Sequence, residues 1–270
     1  MANTAEAIDL PPGNRDADGQ HPAQLRDVLG VGVRVWSKPR AFEELASDIS
    51  KKRHRKFAFL NAHGANLAYE DVDYSKALRD FVVLPDGIGV DIASKCLYGE
   101  KFPDNLRGTD FIPELLESLG EGVHVALLGA RSGVASQAAE KLQLTYPQHR
   151  FSVVGDGYFN SSDEADMIVR LRADRPDILL VALGNPMQEK WIARHCTGEL
   201  ATAVIGVGAL FDFIAGRVSR APQWCIDMRM EWVFRLLLEP RRMWRRYVLG
   251  NPKFLYRVAR QAIVGHRQKV

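Results

Sequence analysis

Phe81-Val82-Val83-Leu84-Pro85-Asp86-Gly87-Ile88-Gly89-Val90-Asp91 is the stretch on which the fold of this chain turns. Phe81 to Leu84 is short, apolar and partly β-branched, and Pro85 ends it, as a buried strand would read. Asp86 then stands just past the strand's C-terminal end. Gly87 and Gly89 allow a sharp bend and a close backbone approach. The run Ile92-Ala93-Ser94-Lys95-Cys96-Leu97 predicts a helix behind them. In open α/β sheets, ligands bind in the crevice beyond the strand ends. A carboxylate placed there is a candidate general base. The same residues also read as a β-turn in which Asp86 only caps the next helix.

The same grammar repeats on either side. Upstream, Phe57 to Leu60 predicts a strand that runs into the polar cluster Asn61-Ala62-His63-Gly64-Ala65-Asn66, and Leu67 to Leu78 predicts one helix. Downstream, Gly108-Thr109-Asp110 opens a helix, with Thr109 or Asp110 expected as its cap. Val123 to Gly129 predicts a strand, followed by Ala130-Arg131-Ser132-Gly133 and a helix from Val134. Strand, glycine turn, helix is also a phosphate-binding arrangement, because free backbone N–H groups point at the turn. Phe151 to Val154, Asp177 to Leu183 and Ala203 to Ile205 predict three further strands. Gly184-Asn185-Pro186-Met187 starts the helix after the second of these, so that Gln188 and Glu189 project toward the crevice. Strands alternating with helices imply an α/β fold with a Rossmann-like, largely parallel sheet covered on both faces.

The chain has 270 residues, of which 46% are hydrophobic and 26% charged, enough to bury a sizeable core. Cys96, Cys196 and Cys225 lack any metal-ligand spacing and read as reduced and mostly buried. No apolar run reaches the ~18 residues of a membrane span, and the N-terminus has no signal-peptide core. Residues 1–26, rich in Pro, Gly, Asp and Gln, are expected to be disordered. The α/β core is expected over 27–222 and a basic helical appendage over 223–270. From Arg229 onward, eleven Lys and Arg face two Glu, about +9, which leaves about −6 for the body of a chain of net charge +3. An acidic body with a basic tail points to an anionic partner.

Several chemistries are disfavoured by pattern. GxGxxG and the P-loop signature GxxxxGK[ST] are both missing, against nicotinamide and P-loop enzymes. Asp71-Val72-Asp73 matches a metal-holding DxD, but helical spacing would splay the two carboxylates. The histidines show no paired-ligand spacing, so neither a metal nor another cofactor is expected.

Six motifs in order carry a resemblance: Pro85-Asp86-Gly87-Ile88-Gly89; Gly108-Thr109-Asp110; Gly184-Asn185-Pro186-Met187-Gln188-Glu189-Lys190-Trp191; Gly206-Val207-Gly208-Ala209-Leu210-Phe211-Asp212; Arg220-Ala221-Pro222; and Glu231-Trp232 through Arg235 to Glu239-Pro240-Arg241-Arg242. The set resembles the WecG/TagA/CpsF glycosyltransferases, glycosyltransferase family 26. The resemblance implies metal-independent, inverting transfer of a hexose or N-acetylhexosamine from a UDP-sugar to a polyprenyl-diphosphate-linked saccharide. The setting it implies is the inner face of the plasma membrane, in surface polysaccharide synthesis. It places the catalytic base on Asp86 and pocket residues on Asn61 and Gln188. Arg235, Arg242 and Arg245 match arginines of the family's appendage.

To these the local reading adds His63, Gly87 and Glu189 as substrate-binding candidates. Two positions depart from the family: Phe59 stands where many members have Thr, and Asn105 where many have Arg. The tail, with Trp232, Leu236, Trp244, Phe254, Leu255, Val258 and Ile263 among its arginines, reads as amphipathic helices for an anionic membrane. Core packing is expected to be strong for Trp232 and Leu236 and weaker after Pro252. Self-association into a homo-oligomer stays open. The rival classes are an arginine-rich nucleic-acid binder and a non-catalytic membrane scaffold. No nucleic-acid recognition module supports the first.

Overall fold

A computed structural model describes residues 24–219, 221–222, 225 and 231–267; the side chains of Glu231, Arg242 and 265–267 fall outside it. The disorder expected before residue 24 and the Arg220 motif position therefore lie outside the described residues.

Six parallel strands form the central sheet. They are β3 (Arg55–Leu60), β4 (Phe81–Pro85), β5 (His124–Gly129), β6 (Arg150–Gly155), β7 (Ile178–Ala182) and β8 (Ala203–Gly206), in the order β4-β3-β8-β7-β5-β6. Strands covered on both faces read as continuous apolar runs. β4 and β7 are buried at every position, whereas the edge strand β6 is half exposed. Side chains alternate between two layers: Phe57 and Phe59 enter one apolar cluster, Ala58 and Leu60 the other. The first layer holds α1 (Lys38–Ser50), α5 (Gly108–Ser118), α6 (Val134–Thr145) and α9 (Leu210–Ile214). The second holds α2 (Ala62–Glu70), α3 (Val72–Leu78), α4 (Ile88–Tyr98), α7 (Ser161–Asp174) and α8 (Met187–His195). Pro85 is accommodated because β4 is an edge strand.

The structure departs from the sequence reading in several places. A hairpin of β1 (Leu25–Val28) and β2 (Val31–Arg34) precedes the sheet, so ordered structure starts before the boundary drawn at residue 26. Arg26 hid it. Its charge argues against a buried strand, yet it is buried beneath Ser94 (2.7 Å) and Glu100, with its guanidinium over the Phe102 ring.

The single helix expected from Leu67 to Leu78 is two. Asp71 breaks it by accepting from Tyr74 N at 3.0 Å, and it also pairs with Lys190 at 2.6 Å. The first carboxylate of the DxD match is thus committed to a cap and an ion pair. The cap of α5 differs from Thr109 and Asp110, and that of α7 is also settled by its side chains. α5 starts on Arg107, which pairs with Asp110 at 2.8 Å, and α7 starts on Asn160 in a reciprocal box with Asp163. Among the cysteines, Cys196 and Cys225 are buried but Cys96 is exposed.

The C-terminal segment comprises α10 (Glu231–Leu238), α11 (Pro240–Trp244), a π-helical turn (Arg245–Leu249) and α12 (Gly250–Arg267). The break between α10 and α11 falls at Glu239-Pro240, where proline cannot continue the ladder. The segment grips both layers. Arg235 lies over the Phe213 ring of α9 at 4.8 Å. At the other end, Asn66 Nδ2 donates to Gly250 O at 2.8 Å, while Lys253 and Arg257 each reach Glu70 at 2.7 Å.

The expected packing of this tail is reversed. Trp232 is 38% exposed, whereas Phe254 and Val258 are 1% and 2% exposed and belong to the core. Spaced i, i+4, they form the stripe that α12 lays against α2 and α4. Burial of each contributes about 1.5–3 kcal/mol.

Candidate active site

The C-terminal ends of all six parallel strands open into one cleft of about 1310 Å³, walled on its far side by α10, α11, the π-turn and α12. Asn61 follows β3, and Asp86 follows β4, its neighbour in the sheet. Asp86 N donates to Leu60 O at 2.9 Å, which carries the strand pairing one residue past β4. Asp86 does not cap α4: the cap is Gly87, and no side chain bonds there. Gly87 has φ +87°, a conformation that a side chain would strain. Its N–H donates to Asn105 Oδ1 at 2.8 Å.

Asn61 has two tasks. Its Oδ1 accepts from Gly64 N at 3.0 Å and caps α2, so the helix expected from Leu67 starts at Ala62 and takes in the polar cluster. Its Nδ2 donates to Asp86 Oδ2 at 3.3 Å. The cap fixes the amide's orientation, and the orientation aims the donor at the carboxylate. A half-buried carboxylate held this way, at a strand end and facing a large cleft, meets the geometric requirement for a general base.

His63, one turn into α2, also lines the cleft. Burial, then the Arg246 charge, pushes its pKa down to about 4. It faces the cleft as a neutral imidazole with one donor and one acceptor.

Gln188 reaches the cleft from the first turn of α8. Its Oε1 accepts from Gly208 N at 3.0 Å and its Nε2 donates to Glu189 Oε1 at 2.8 Å. Gly206 makes room, since a Cβ there would lie 2.9 Å from Gln188 Nε2. Glu189 does not project into the cleft as expected; it has no exposed surface and sits beneath the cleft wall. Consecutive helical residues face different ways, and although both are buried only Gln188 lines the cleft. Glu189 Oε1 instead accepts from Asn185 Nδ2 at 2.6 Å and from Gln188, and its other oxygen is buried without a partner. Burial pushes its pKa up to about 7.

Of the appendage arginines, Arg235 and Arg245 line the cleft, and the Arg242 side chain falls outside the description. Arg246 also lines the cleft; the sequence reading left it out, although it adjoins Arg245 in the same basic run. Phe59 lines the cleft too, packed on Gly108, where a Cβ would approach its ring to 3.1 Å. Among the described residues, no group of three or more His, Cys, Asp and Glu is placed to hold a metal.

A parallel sheet with a strand-end cleft, one positioned carboxylate and arginines on the cleft wall fits an α/β enzyme acting on an anionic substrate. Residues 26–268 match the family described as Glycosyl transferase WecG/TagA/CpsF, and the chain belongs to that family. It is similar to the N-acetylglucosaminyldiphosphoundecaprenol N-acetyl-beta-D-mannosaminyltransferase of Bacillus subtilis (strain 168), at 33% identity over 75% of this chain and 78% of the relative. The protein of the same name from Staphylococcus aureus (strain NCTC 8325 / PS 47) is 32% identical over 87% of this chain and 92% of its own length.

Proposed function

We propose that this glycosyltransferase moves a hexose or N-acetylhexosamine, with inversion, from a UDP-sugar to a polyprenyl-diphosphate-linked saccharide, for surface polysaccharide synthesis. The names of the relatives support an acceptor of that class. The observation that carries the chemistry is the Asn61–Asp86 hydrogen bond inside the cleft that Arg235 and Arg245 also line.

In this reading the acceptor hydroxyl attacks C1 of the donor sugar and gives its proton to Asp86. The bond from C1 to the diphosphate oxygen breaks on the opposite side, and its electron pair leaves on UDP. Arg235, Arg242 and Arg245 supply positive charge for that leaving group, and a planar guanidinium suits a diphosphate. His63, Gly87 and Gln188 shape the sugar and acceptor sites. Positive charge from arginine is what makes the transfer metal-independent.

No helix among the described residues is long and apolar enough to cross a membrane. Contact with the inner face of the membrane is assigned to the exposed Leu237, Trp244, Val248 and Leu249, interspersed with Arg241 and Arg245. The test is a panel of UDP-sugars with a short-chain N-acetylglucosaminyl-diphosphate lipid, with and without EDTA. Transfer from one donor that survives EDTA supports the reading. Failure with every donor, or dependence on a divalent cation, contradicts it.

A further inference from the structure

Ile88 and Ile92 are 39% and 43% exposed, and both line the cleft. They stand one turn apart on the same face of α4. The buried residues of that helix, Val90, Asp91, Ala93 and Ser94, face elsewhere. Leu255 of α12 is 44% exposed and lines the same cleft, while its neighbour Phe254 is buried. α4 and α12 meet at Gly89, where a Cβ would lie 3.6 Å from Phe254 Cε1. Single exposed apolar residues need no explanation. Here three large aliphatic side chains from two touching helices line the cleft that also holds Asp86, two residues before Ile88.

We infer that Ile88, Ile92 and Leu255 form the exit track for the first isoprene units of the acceptor's polyprenyl chain. This rests on the proposed function above and identifies which surface receives the lipid end of that substrate. Such an acceptor has a fixed chemical order: reacting hydroxyl, sugar ring, diphosphate, isoprenoid. One cleft offers groups of all the matching kinds: the Asp86 carboxylate, the Arg245 and Arg246 guanidinium groups and the aliphatic strip. Arg245 and Leu255 are ten residues apart on nearly continuous helix, which separates them by about 15 Å along its axis. A polyprenyl chain has no hydrogen-bonding groups, so aliphatic surface is what could hold it in water. The track would place the diphosphate by gripping the chain beside it.

The experiment uses the full chain without detergent or vesicles, so that no bilayer can favour a lipid. N-acetylglucosaminyl diphosphate esterified with methyl is compared with the farnesyl ester, using the donor active in the panel. The expected KM is at least ~10-fold lower for the farnesyl acceptor, with similar kcat. Ile92→Asp and Leu255→Asp each shrink that ratio to near one. Ile263→Asp, at an exposed apolar position of α12 outside the cleft lining, leaves it intact. Circular dichroism and thermal melts check that the variants fold, and two independent positions guard against one that does not.

Equal KM values in the wild type overturn the inference, as does a preference that survives both aspartates. A preference that vanishes equally in Ile263→Asp assigns the lipid to apolar surface outside the cleft and likewise overturns it. Absence of transfer to either acceptor from any donor contradicts the proposed function itself.

Discussion

Gln188 Nε2 donates to Glu189 Oε1 at 2.8 Å, so the side chain that faces the cleft is held by its immediate neighbour beneath it. Glu189 is fully buried, and burial raises its pKa from 4.5 to about 7. Between those values the folded protein keeps a proton that the unfolded chain has lost. Stability therefore falls as pH rises from about 4.5 to about 7 and is level above that, a loss of about 3 kcal/mol. Glu189→Gln keeps an oxygen for Asn185 and Gln188 but cannot ionise. Urea unfolding should show it more stable than wild type at pH 8 and similar at pH 4. A wild-type stability that does not fall across this interval would contradict the assignment.

Gly206→Ala tests whether the Gln188 amide must be held where it is. The new Cβ would come 2.9 Å from Gln188 Nε2, in an amide whose Oε1 accepts from Gly208 N and whose Nε2 donates to Glu189. Displacing it should lower transfer on the order of 10²-fold, as small misplacements in a positioned site do. Kinetics alongside a crystal structure of the variant would check both the shift and the loss.

Arg245→Ala should leave the melting temperature nearly unchanged, because Arg245 is exposed. Transfer should fall about 10²–10³-fold if its charge stabilises the leaving diphosphate. Arg245→Lys should recover only part of the rate, since a point charge does not reproduce a planar fork. Steady-state rates of the three proteins decide it.

Removing the chain from Asn251 onward is a poor test of membrane binding, because it deletes Phe254 and Val258 from the core. Phe254→Ala alone should cost about 3–5 kcal/mol. Leu237→Asp and Leu249→Asp change residues that are 75% and 53% exposed and should leave stability intact. Both should weaken sedimentation with anionic vesicles. Unchanged sedimentation would remove this surface from the membrane account.

Much of this site was legible from periodicity and punctuation. Strands with both faces covered read as apolar runs, so β4 and β7 stood out and Asp86 and Gly184 fell at their ends. What stayed hidden depended on contacts distant in sequence. Arg26 reads as a surface charge until Ser94 and Glu100 are beside it. Gln188 and Glu189 are adjacent and both buried, and only the pitch of α8 puts one on the cleft lining and the other beneath it. The face of α12 that carries Phe254 and Val258 has the spacing of a membrane-binding stripe as much as of a core one. Its use shows only in the packing against α2 and α4, where Lys253 and Arg257 also pair with Glu70 at the far end of the helix that Asn61 caps. The family likeness supplied the arginine roles; no local pattern in the tail distinguishes an arginine lining a cleft from one in solvent.

The most direct test of the account is Asp86→Asn, measured for sugar transfer and for UDP binding on the same preparation. Asparagine keeps the shape and a partner for Asn61 but cannot accept the acceptor's proton. Transfer should fall by about 10²–10⁴-fold while the dissociation constant for UDP stays close to that of the wild type. Turnover near the wild-type rate would show that Asp86 is not the base.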